Sequence, residues 1–474
     1  MGTFGIGVRV TKHRDRVCLI GAGSSGIAVA KALYEANIPF DSFEKSDRVG
    51  GNWVFGNSNG MSAAYKGLHI NTSRERMQYA DYPMPKSYPD FPHHSQIARY
   101  FEDYVEHFGF RKTIQFLTSV EHAAKDANGD FRVRIKHLTS GDEEERTYRA
   151  LLVANGHHWD PLFPDPPFPG HFDGRVMHAH HYKSTDELRG KRVVIVGMGN
   201  SAMDIAVESS EVAERTFLSA RRGVHVIPKY MFGRPLDQIF TSPYIPWKVR
   251  QRLGEWIHRI SVGTMEKYGL PKPDHRLGEA HPTISGRILD RLTHGVITPK
   301  PNIAELMGDR IRFTDGTIVT ANVLVYCTGY KVTFPFFDPA FISAKDNDLP
   351  LFMRVFHPDH ERLMFIGLLQ PLGAIMPLAE AQGRWVARYL LGTYGLPSTT
   401  EMRERIAEER RIMFARYVKS KRHTMQVDFD DYLLDVEREL RRGEKRARRR
   451  GPERGFATRP EPGQARAASE QRAE

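Results

Sequence analysis

The sequence predicts an α/β protein that contains two Rossmann-like units, the second inserted into the first. Two glycine-rich turns carry this prediction, at residues 21–26 (GAGSSG) and 197–202 (GMGNSA), because each follows a short apolar strand and opens a helical segment. A third observation is the apolar run at 323–330, which ends in Thr-Gly-Tyr and indicates that the chain returns to the first unit. A chain of 474 residues is long enough for two domains of ordinary size.

The first unit has the length and pattern of a βαβ unit. We expect a strand at 16–20, a helix at 25–37 and a second strand at 40–44. About 30 residues is what such a unit requires, so the spacing fits a dinucleotide-binding turn between the strand and the helix. We expect the N-terminus, residues 1–14, to be a loose lead-in without a signal peptide.

The residues of this first turn predict a site for FAD or NAD. Gly21 makes the tight turn, Gly23 lets the backbone approach a pyrophosphate, and Gly26 permits close packing of the helix on the strand. Ser25 lies beside them at the start of the helix, where backbone N–H groups can hold phosphate. Glu44 follows Gly21 by 23 residues and is expected to bind ribose hydroxyls.

A pair of glycines follows the second strand of this unit. The segment continues through Gly51, Asn52 and Trp53. Paired glycines can form a simple loop, or they can let the backbone approach the same cofactor. The second interpretation is favoured, and it adds these three residues to the predicted cofactor site.

The second unit repeats the pattern with one informative change. Its turn contains Gly197, Gly199, Asn200, Ser201 and Ala202, and alanine in place of the third glycine is allowed by the fingerprint. The strand that precedes it is the apolar run Val-Val-Ile-Val. The second turn is therefore predicted to hold another dinucleotide.

The charge near the second turn selects the dinucleotide. At the distance where the first unit has an acid, the second has Ser219, Arg221 and Arg222. A hydroxyl and two guanidinium groups suit a ribose 2′-phosphate, which a carboxylate would repel. The prediction is NADPH at this site and electron transfer from NADPH to FAD. The alternative is that both arginines form surface ion pairs.

Composition limits the classes of partner. The net charge is +11, and over half of the excess lies in residues 441–474, where 11 Lys and Arg stand against 5 Asp and Glu. We expect this segment to be a basic disordered tail, and we expect no nucleic-acid partner.

No apolar run approaches the ~20 residues of a membrane span. The only two cysteines, Cys18 and Cys327, lie in apolar segments, which favours a reducing cytoplasm.

The domain boundaries follow from these units. The expected order is an FAD-binding first part at 1–165, an NADPH-binding domain at 166–322, and the second part of the FAD domain at 323–440. An insertion at 226–285 in the NADPH domain begins with an aromatic and basic stretch. We expect it to form an irregular cover over the active site, with contact to a membrane surface as the alternative.

A further pattern points to a family. Residues 172–182 have the spacing F-x-G-x-x-x-H-x-x-x-Y, which resembles the fingerprint of the flavin-containing monooxygenases. The related Baeyer–Villiger enzymes end this motif in Trp followed by Pro or Asp, whereas this chain has Tyr182 and Lys183. Nearly the whole chain resembles the family, since the turn segments, 327–330 and 373–385 occur in the family's order.

The resemblance implies a reaction and adds site residues. It implies that NADPH reduces FAD, that O2 forms a C4a-hydroperoxyflavin, and that an amine nitrogen or sulfide sulfur takes one oxygen atom while NADP⁺ stays bound. It implies that His178 couples the position of NADP(H) to the flavin, and that Thr328 and Gly329 belong to the cofactor site. The neighbouring histidines lack an accompanying acid or cysteine set, so a metal site is not expected.

Two side-chain amides are further candidates for contact with the flavin. In family members, the asparagine that matches Asn71 hydrogen-bonds near the flavin C4a atom, and a neutral amide can do this without titrating. From residue type alone, Asn71 could instead cap a helix or form a turn. Gln382 resembles a family residue that faces the flavin, with the polar face of a helix as the equal alternative.

Other functions stay open at this point. The absence of a CxxC motif excludes the disulfide-reductase mechanism. A Baeyer–Villiger monooxygenase that converts ketones to esters is the first alternative, and a non-catalytic NADP(H)-sensing flavoprotein is the second. The substrate would be a small nucleophile, and a homodimer is an open prediction.

Overall fold

The computed structural model describes residues 9–239, 244–417 and 424–450. Residues 1–8, Phe240 in the aromatic stretch and residues 451–474 of the predicted tail lie outside the described residues. The α-helices are α1 (Ser24–Glu35), α2 (Arg74–Met77), α3 (His94–His107), α4 (Asn200–Val212), α5 (Trp247–Ser261), α6 (Ile288–Thr293), α7 (Met376–Leu390), α8 (Thr399–Arg416) and α9 (Phe429–Arg450).

Many of the β-strands are short, and together they form two large sheets and several small ones. They are β1 (Arg9–Ile20), β2 (Phe40–Phe43), β3 (Ile114–Gln115), β4 (Thr118–Lys125), β5 (Phe131–His137), β6 (Glu143–Val153), β7 (Asp160–Pro161), β8 (Gly170–Phe172), β9 (Arg175–His178), β10 (Arg192–Val196), β11 (Arg215–Ser219), β12 (Val226–Ile227), β13 (Tyr230–Met231), β14 (Arg234–Pro235), β15 (Thr283–Ile284), β16 (Ile297–Lys300), β17 (Ile303–Gly308), β18 (Arg310–Phe313), β19 (Ile318–Thr320), β20 (Val323–Tyr326), β21 (Tyr330–Lys331), β22 (Leu363–Phe365), β23 (Gln370–Leu372) and β24 (Gln426–Asp428).

The first large sheet contains the first glycine-rich turn. Its strands lie in the order β3-β2-β1-β6-β5-β4, and β22 also pairs with β6. β1 is central and parallel to both β2 and β6. Its apolar end is buried on both faces, as expected for a strand inside a parallel sheet. β22 pairs with β6 and so returns the chain to this sheet. The predicted boundary at 323 is wrong, because β20 still pairs with β10 and β9 in the sheet of the second unit.

The second large sheet contains the second glycine-rich turn. Its strands lie in the order β16-β11-β10-β20-β9, and every neighbouring pair is parallel. β10 lies at the centre, directly before residues 197–202. Each turn therefore joins a central parallel strand to a helix, which is where open α/β sheets bind their ligands.

The first strand is longer than the sequence predicts. β1 begins at Arg9, so residues 9–14 are extended rather than a loose lead-in. They pair with the first half of β6, which begins at Glu143. Polar residues are compatible with strand here because this half of β6 also pairs antiparallel with β5, and such sheets can leave one face in water.

The predicted basic tail is wrong in its first part. Residues 441–450 continue α9, and residues 451–474 lie outside the described part of the chain. α9 buries a stripe at helical spacing, with Phe429, Tyr432, Val436 and Gly443 as members. A Cβ at Gly443 would lie 1.9 Å from the ring of Tyr394, so only glycine allows this approach. The composition of this segment is rich in cations, which is typical of disorder. These cations lie on the outer face of α9, while the buried stripe holds the helix on the domain.

The two ends of the insertion lie next to each other. β12 at its start pairs in parallel with β15 near its end. The segment between them contains the β13–β14 hairpin and α5. Over the described residues, no helix is both long and apolar enough to cross a membrane.

Candidate active site between the two domains

A cavity of about 460 Å³ lies between the two domains. Its wall combines residues from the first domain, the second domain and the returning chain. Eight of the predicted site residues line it: Asn52, Asn71, His178, Gly199, Asn200, Ser201, Thr328 and Gly329. The other predicted residues lie outside this wall, and most of them belong to the two turns and their supports.

The first glycine-rich turn is shaped by contacts that leave no room for side chains. Gly21 has φ +98°, and a Cβ there would lie 2.6 Å from the carbonyl oxygen of Ala154. A Cβ on Gly26 would lie 1.9 Å from the carbonyl oxygen of Gly21. Gly23 begins α1 as its N-cap without a side-chain hydrogen bond, and Ser25 lies in the first turn. The uncapped helix end leaves backbone N–H groups available to an anion.

Glu44 is buried beneath this turn. Its Oε2 accepts a hydrogen bond from the Ala22 N–H at 2.7 Å, and its Oε1 accepts one from the Ser46 N–H at 2.7 Å. Burial raises the pKa of Glu44, although these hydrogen bonds act in the opposite direction. Glu44 therefore holds the turn in place, and a ribose contact would use the remaining lone pairs of its carboxylate.

The segment after the second strand packs onto the first turn. Gly51 has φ +53°, and a Cβ there would lie 3.1 Å from the Cα of Gly23. Asn52 lines the cavity, and its Oδ1 accepts a hydrogen bond from the Ala63 N–H at 2.7 Å. Trp53 packs, partly buried, against the core of the first domain. The glycine thus lets two backbone segments meet at the predicted cofactor site.

The second turn has a similar construction. Gly197 has φ +135°, and a Cβ there would lie 2.6 Å from the carbonyl oxygen of Cys327. Gly199 is the N-cap of α4, again without a side-chain hydrogen bond, and Ser201 lines the cavity beside it. Ala202 is fully buried, which explains why a small residue is needed there.

The residues predicted to bind a 2′-phosphate divide into two groups. Arg221 and Arg222 are exposed just beyond β11, and Arg222 lies 3.6 Å from Asp274. The prediction for Ser219 is wrong as a phosphate contact, because its side chain is buried and its hydroxyl donates to the carbonyl oxygen of Pro301 at 2.8 Å. Two guanidinium groups therefore remain for the phosphate, one of them with an acidic neighbour.

His178 is the last residue of β9, the edge strand of the second large sheet. Its Nδ1 accepts a hydrogen bond from the His180 N–H at 3.1 Å. Its ring packs edge-on against Tyr330, with centroids 5.3 Å apart. Burial, with a smaller contribution from the nearby His180 and His181, lowers the pKa of His178 to about 4. The imidazole is therefore neutral at the cavity wall near pH 7.

The Thr-Gly turn after β20 closes the same side of the cavity. The Thr328 hydroxyl donates to the carbonyl oxygen of Leu162, and the Leu162 N–H donates to the carbonyl oxygen of Gly329 at 3.0 Å. Gly329 has φ +93°, a conformation that favours glycine. These bonds join the strand of the second domain to the proline-rich connection from the first.

Asn71 lies on the cavity wall with an unused acceptor. Its Oδ1 is buried and has no hydrogen-bond partner among the described residues. The N-cap of the adjacent α2 is Ser73, so the helix-cap interpretation of Asn71 is wrong. A buried orphan acceptor at a cavity wall is what a ligand N–H group would satisfy.

Gln382 does not reach the cavity. It is fully buried in α7, where its Oε1 accepts from the Gly367 N–H at 2.8 Å and its Nε2 donates to the Tyr432 hydroxyl at 2.7 Å. A Cβ on Gly367 would lie 2.0 Å from Ser25 Oγ. Gln382 therefore holds the turn that backs the start of α1, and its assignment as a flavin-facing group is wrong.

The cavity wall also contains residues that the sequence did not predict. His157, His158 and Tyr330 all line it. Burial lowers the pKa of His157 well below its ordinary value, and its Nε2 has no partner among the described residues. A signal was present, because both histidines follow the carboxyl end of β6, the edge at which parallel sheets bind ligands.

Two features of this site fit FAD and NADPH. Each central turn leads into a helix whose N-terminus carries no side-chain cap, the geometry that holds a pyrophosphate. The cavity between the turns is walled by neutral imidazoles and an orphan amide oxygen. In the ranges that the structure describes, no group of three His, Cys, Asp or Glu residues is arranged to hold a metal ion.

Comparison with known proteins agrees with this geometry. Residues 14–443 match the family model described as flavin-binding monooxygenase-like. Flavin-containing monooxygenase 5 of Rattus norvegicus is 36% identical over 450 residues, which cover 89% of this chain and 82% of the relative. Flavin-containing monooxygenase 2 of Homo sapiens is 32% identical over 447 residues, which cover 90% and 82%.

A solved structure shares the fold at lower identity. The S-allyl-L-cysteine S-oxygenase of Allium sativum superposes with a TM-score of 0.68 and 23% identity, over 96% of this chain and 98% of that one. The family match and the relatives also exclude the non-catalytic alternative. This chain belongs to the flavin-binding monooxygenase-like family and is a monooxygenase that uses FAD and NADPH.

Proposed function

We propose that the protein oxygenates soft nucleophiles, namely amine nitrogen or sulfide sulfur. The observation that carries this proposal is the buried, unpartnered Oδ1 of Asn71 at the wall of the cavity between the two domains. Names of similar proteins support it, since one relative is a dimethylaniline monooxygenase of the N-oxide-forming type and one structural neighbour is an S-oxygenase.

The side chains of the cavity are suited to an oxygenation that needs no protein acid or base. When bound, FAD supplies the oxygen-activating centre and NADPH supplies the hydride. Asn71 offers a neutral amide that can donate and accept hydrogen bonds without exchanging a proton. His157 and His178 have pKa values lowered by burial, so both are neutral near pH 7. Leu68, Ile205 and other apolar side chains form part of the cavity wall, which favours the exclusion of water once cofactor and substrate fill the cavity.

The turns and arginines have separate roles in this proposal. Residues 21–26 and Glu44 would hold FAD, and residues 197–202 would hold the pyrophosphate of NADPH. Arg221 and Arg222 would bind its 2′-phosphate. The division is supported by the two uncapped helix ends and by the buried acid at the first turn.

Ketone oxygenation is the alternative that an experiment must distinguish from oxygenation of amines and sulfides. Tyr182 and Lys183, the residues that depart from the Baeyer–Villiger motif, do not line the cavity. The Tyr182 hydroxyl donates to Glu208 Oε2 at 2.5 Å, and Lys183 Nζ donates to the carbonyl oxygen of Ser62 at 2.7 Å. These residues fix the fold of the motif, and they do not select between the two substrate classes by contact.

A three-substrate assay tests the proposal. The FAD-loaded protein is supplied with NADPH, O2 and either a tertiary aromatic amine, a dialkyl sulfide or a cyclic ketone, and product is measured per NADPH oxidised. We expect N-oxide or sulfoxide in a yield close to the NADPH consumed. Ester from the ketone without heteroatom product would replace the proposal with the Baeyer–Villiger alternative. Hydrogen peroxide as the sole product in all three assays would overturn both.

We also propose a peripheral contact between the insertion and an anionic membrane surface. On α5, Val249, Leu253, Trp256 and Ile260 follow helical spacing and are 53%, 40%, 63% and 67% exposed. Exposed Lys248, Arg252 and Arg259 flank this stripe. A helix with an apolar stripe, a tryptophan and adjoining cations suits the headgroup region of anionic lipids. The two free cysteines support a cytoplasmic location, which stays part of this proposal.

Vesicle sedimentation tests this contact. We expect the protein to sediment with vesicles that contain phosphatidylglycerol and to stay in solution with phosphatidylcholine alone. Trp256→Ser should abolish the binding, whereas Ile318→Ser, at an apolar residue of β19 that is 47% exposed, should not. The proposal is wrong if the parent protein binds neither kind of vesicle, or if Trp256→Ser binds like the parent. It is also wrong if the α5 stripe instead forms a homodimer interface that this substitution disrupts.

A further inference from the structure

We infer that the insertion positions Asn71 through the side chains of Lys229, Asp237 and Gln238, which we call the insertion clamp. The inference rests on the proposed role of Asn71. It adds positioning residues that lie outside both glycine-rich turns and outside the family fingerprint. It also gives the insertion a part in the reaction.

The clamp holds the backbone on both sides of the cavity amide. Lys229 Nζ donates to the carbonyl oxygen of Ile70, the preceding residue, at 3.1 Å. Asp237 Oδ2 accepts from the Ser73 N–H, two residues beyond the amide, at 2.6 Å. Gln238 Nε2 donates to Ser73 Oγ at 3.1 Å. All three clamp residues come from the insertion, whereas the segment they hold belongs to the first domain.

The insertion also contacts the chain that supports this segment. The Arg74 N–H donates to the carbonyl oxygen of Asp90 at 2.7 Å, so the chain near residue 90 supports the loop that contains Asn71. Tyr230 donates its hydroxyl hydrogen to the Asp90 carboxylate, and the Lys229 ammonium lies 4.8 Å from the ring centroid of Phe91. The loop is therefore held directly by the clamp and indirectly through its support.

The charges of the clamp strengthen these bonds. A cation meets a carbonyl oxygen and an anion meets an N–H group, and charge-assisted hydrogen bonds are roughly twice as strong as neutral ones. Lys229 is half-buried, and Asp204 of α4 is a charged group near it. The other carboxylate oxygen of Asp237 is buried without a partner among the described residues, so the Ser73 N–H is the hydrogen-bond donor that the structure gives this carboxylate.

The insertion also contacts the second glycine-rich turn. Thr283 Oγ1 donates to the carbonyl oxygen of Met198 at 2.5 Å, and the Ile284 N–H donates to Asn200 Oδ1 at 2.9 Å. These two residues form β15, which pairs with β12, and β12 ends two residues before Lys229. A dinucleotide held at the second turn thus has a contiguous path of contacts to the Asn71 segment. We expect it to reduce the motion of that segment through the clamp.

Hydrogen exchange tests the clamp without relying on turnover. The FAD-loaded protein is compared with and without NADP⁺, and exchange is followed by mass spectrometry in peptides covering 66–73. In the parent, NADP⁺ should slow exchange there. Lys229→Met should raise the exchange rate roughly tenfold, the effect of losing a hydrogen bond to a charged group. The same variant should raise the peroxide formed per NADPH severalfold, with little change in the KM for NADPH.

Matched variants separate the outcomes. Lys229→Arg retains a cationic donor and should restore the parent's exchange, and Lys267→Met, at an exposed lysine of the insertion, should leave it unchanged. Asp237→Asn is a milder variant if Lys229→Met does not fold. Exchange at 66–73 that is unaltered in Lys229→Met and Asp237→Asn would overturn the clamp. If Asn71→Ala leaves coupling intact, the proposed role of Asn71 fails instead, and the exchange result still decides the clamp.

Discussion

Burial decides the charge of the imidazoles at the cavity wall. His178 and His157 both have pKa values lowered by desolvation, and the neighbouring histidines lower them further. Each therefore offers hydrogen-bonding nitrogens without a positive charge near pH 7. A wall of this kind, with the Asn71 amide beside it, can orient a ligand by hydrogen bonds without placing a positive charge next to it. The same burial makes folding stability sensitive to acid.

The acid sensitivity can be predicted with its sign. The pKa of His178 is lowered to about 4, so between an unfolded value near 6.5 and this folded value the unfolded chain binds more protons. Stability must therefore decrease as pH falls from about 6.5 towards about 4. The pKa values of His94 and His357 are also lowered to about 4, chiefly by burial, and these residues act in the same direction.

Urea unfolding at pH 7 and pH 5 checks this prediction. The loss of unfolding free energy on acidification should be smaller in His178→Gln than in the parent, by about 1 kcal/mol. His181→Gln, at an exposed neighbour, is the control and should lose as much as the parent. An equal loss in His178→Gln and the parent would show that His178 is protonated similarly in the folded and unfolded states.

The two arginines beyond β11 make unequal contacts. Arg222 lies 3.6 Å from Asp274, whereas Arg221 is exposed beside it. We expect Arg221→Ser to raise the KM for NADPH about tenfold or more, because a charge-assisted bond to phosphate is lost. The KM for NADH should change less than about twofold. Steady-state kinetics with both cofactors measure this, with Arg215→Ser at the start of β11 as control. Equal changes for NADPH and NADH would assign the phosphate to another residue.

At the scale of elements, glycines determine how closely helices can pack. A Cβ on Gly383 of α7 would lie 3.0 Å from the Cα of Val29, so α7 packs directly on the backbone of α1. Gly443 plays the same part for α9, because it faces the ring of Tyr394. Tyr394 in turn donates its hydroxyl hydrogen to Glu439 at 2.9 Å. The end of α9 is therefore part of the folded domain.

Gly443→Ala provides a direct test of this packing. Alanine has the higher helix propensity, by about 1 kcal/mol, and would stabilise a free helix. In the folded protein its methyl group would overlap the Tyr394 ring, and overpacking of this kind costs about 1–3 kcal/mol. We expect a net decrease in the melting temperature by thermal unfolding, with Lys445→Ala, at an exposed position, close to the parent. A rise in melting temperature would mean that residues 441–450 do not pack as described.

At the scale of the molecule, features that depend on neighbouring residues were predicted better than contacts between residues far apart in sequence. The two turns were predictable because glycine spacing, the preceding strand and the following helix are all close in sequence. Gln382 was assigned wrongly because its partners, Gly367 and Tyr432, lie far along the chain. Residues 441–450 were assigned wrongly because composition does not reveal a packed stripe. The clamp on Asn71 could not be predicted, since its bonds join residues about 160 positions apart.

The return of β22 to the first sheet has a consequence for biosynthesis. β22 pairs with the end of β6, more than two hundred residues earlier, so the ribosome must make the whole second domain before the first sheet is complete. The second sheet spans only β9 to β20, and its contacts are available sooner after its first strand emerges. Long-range pairings form late because loop closure is entropically costly. The domain encoded in the middle of the gene is thus expected to fold first, and the domain that begins the chain to fold last.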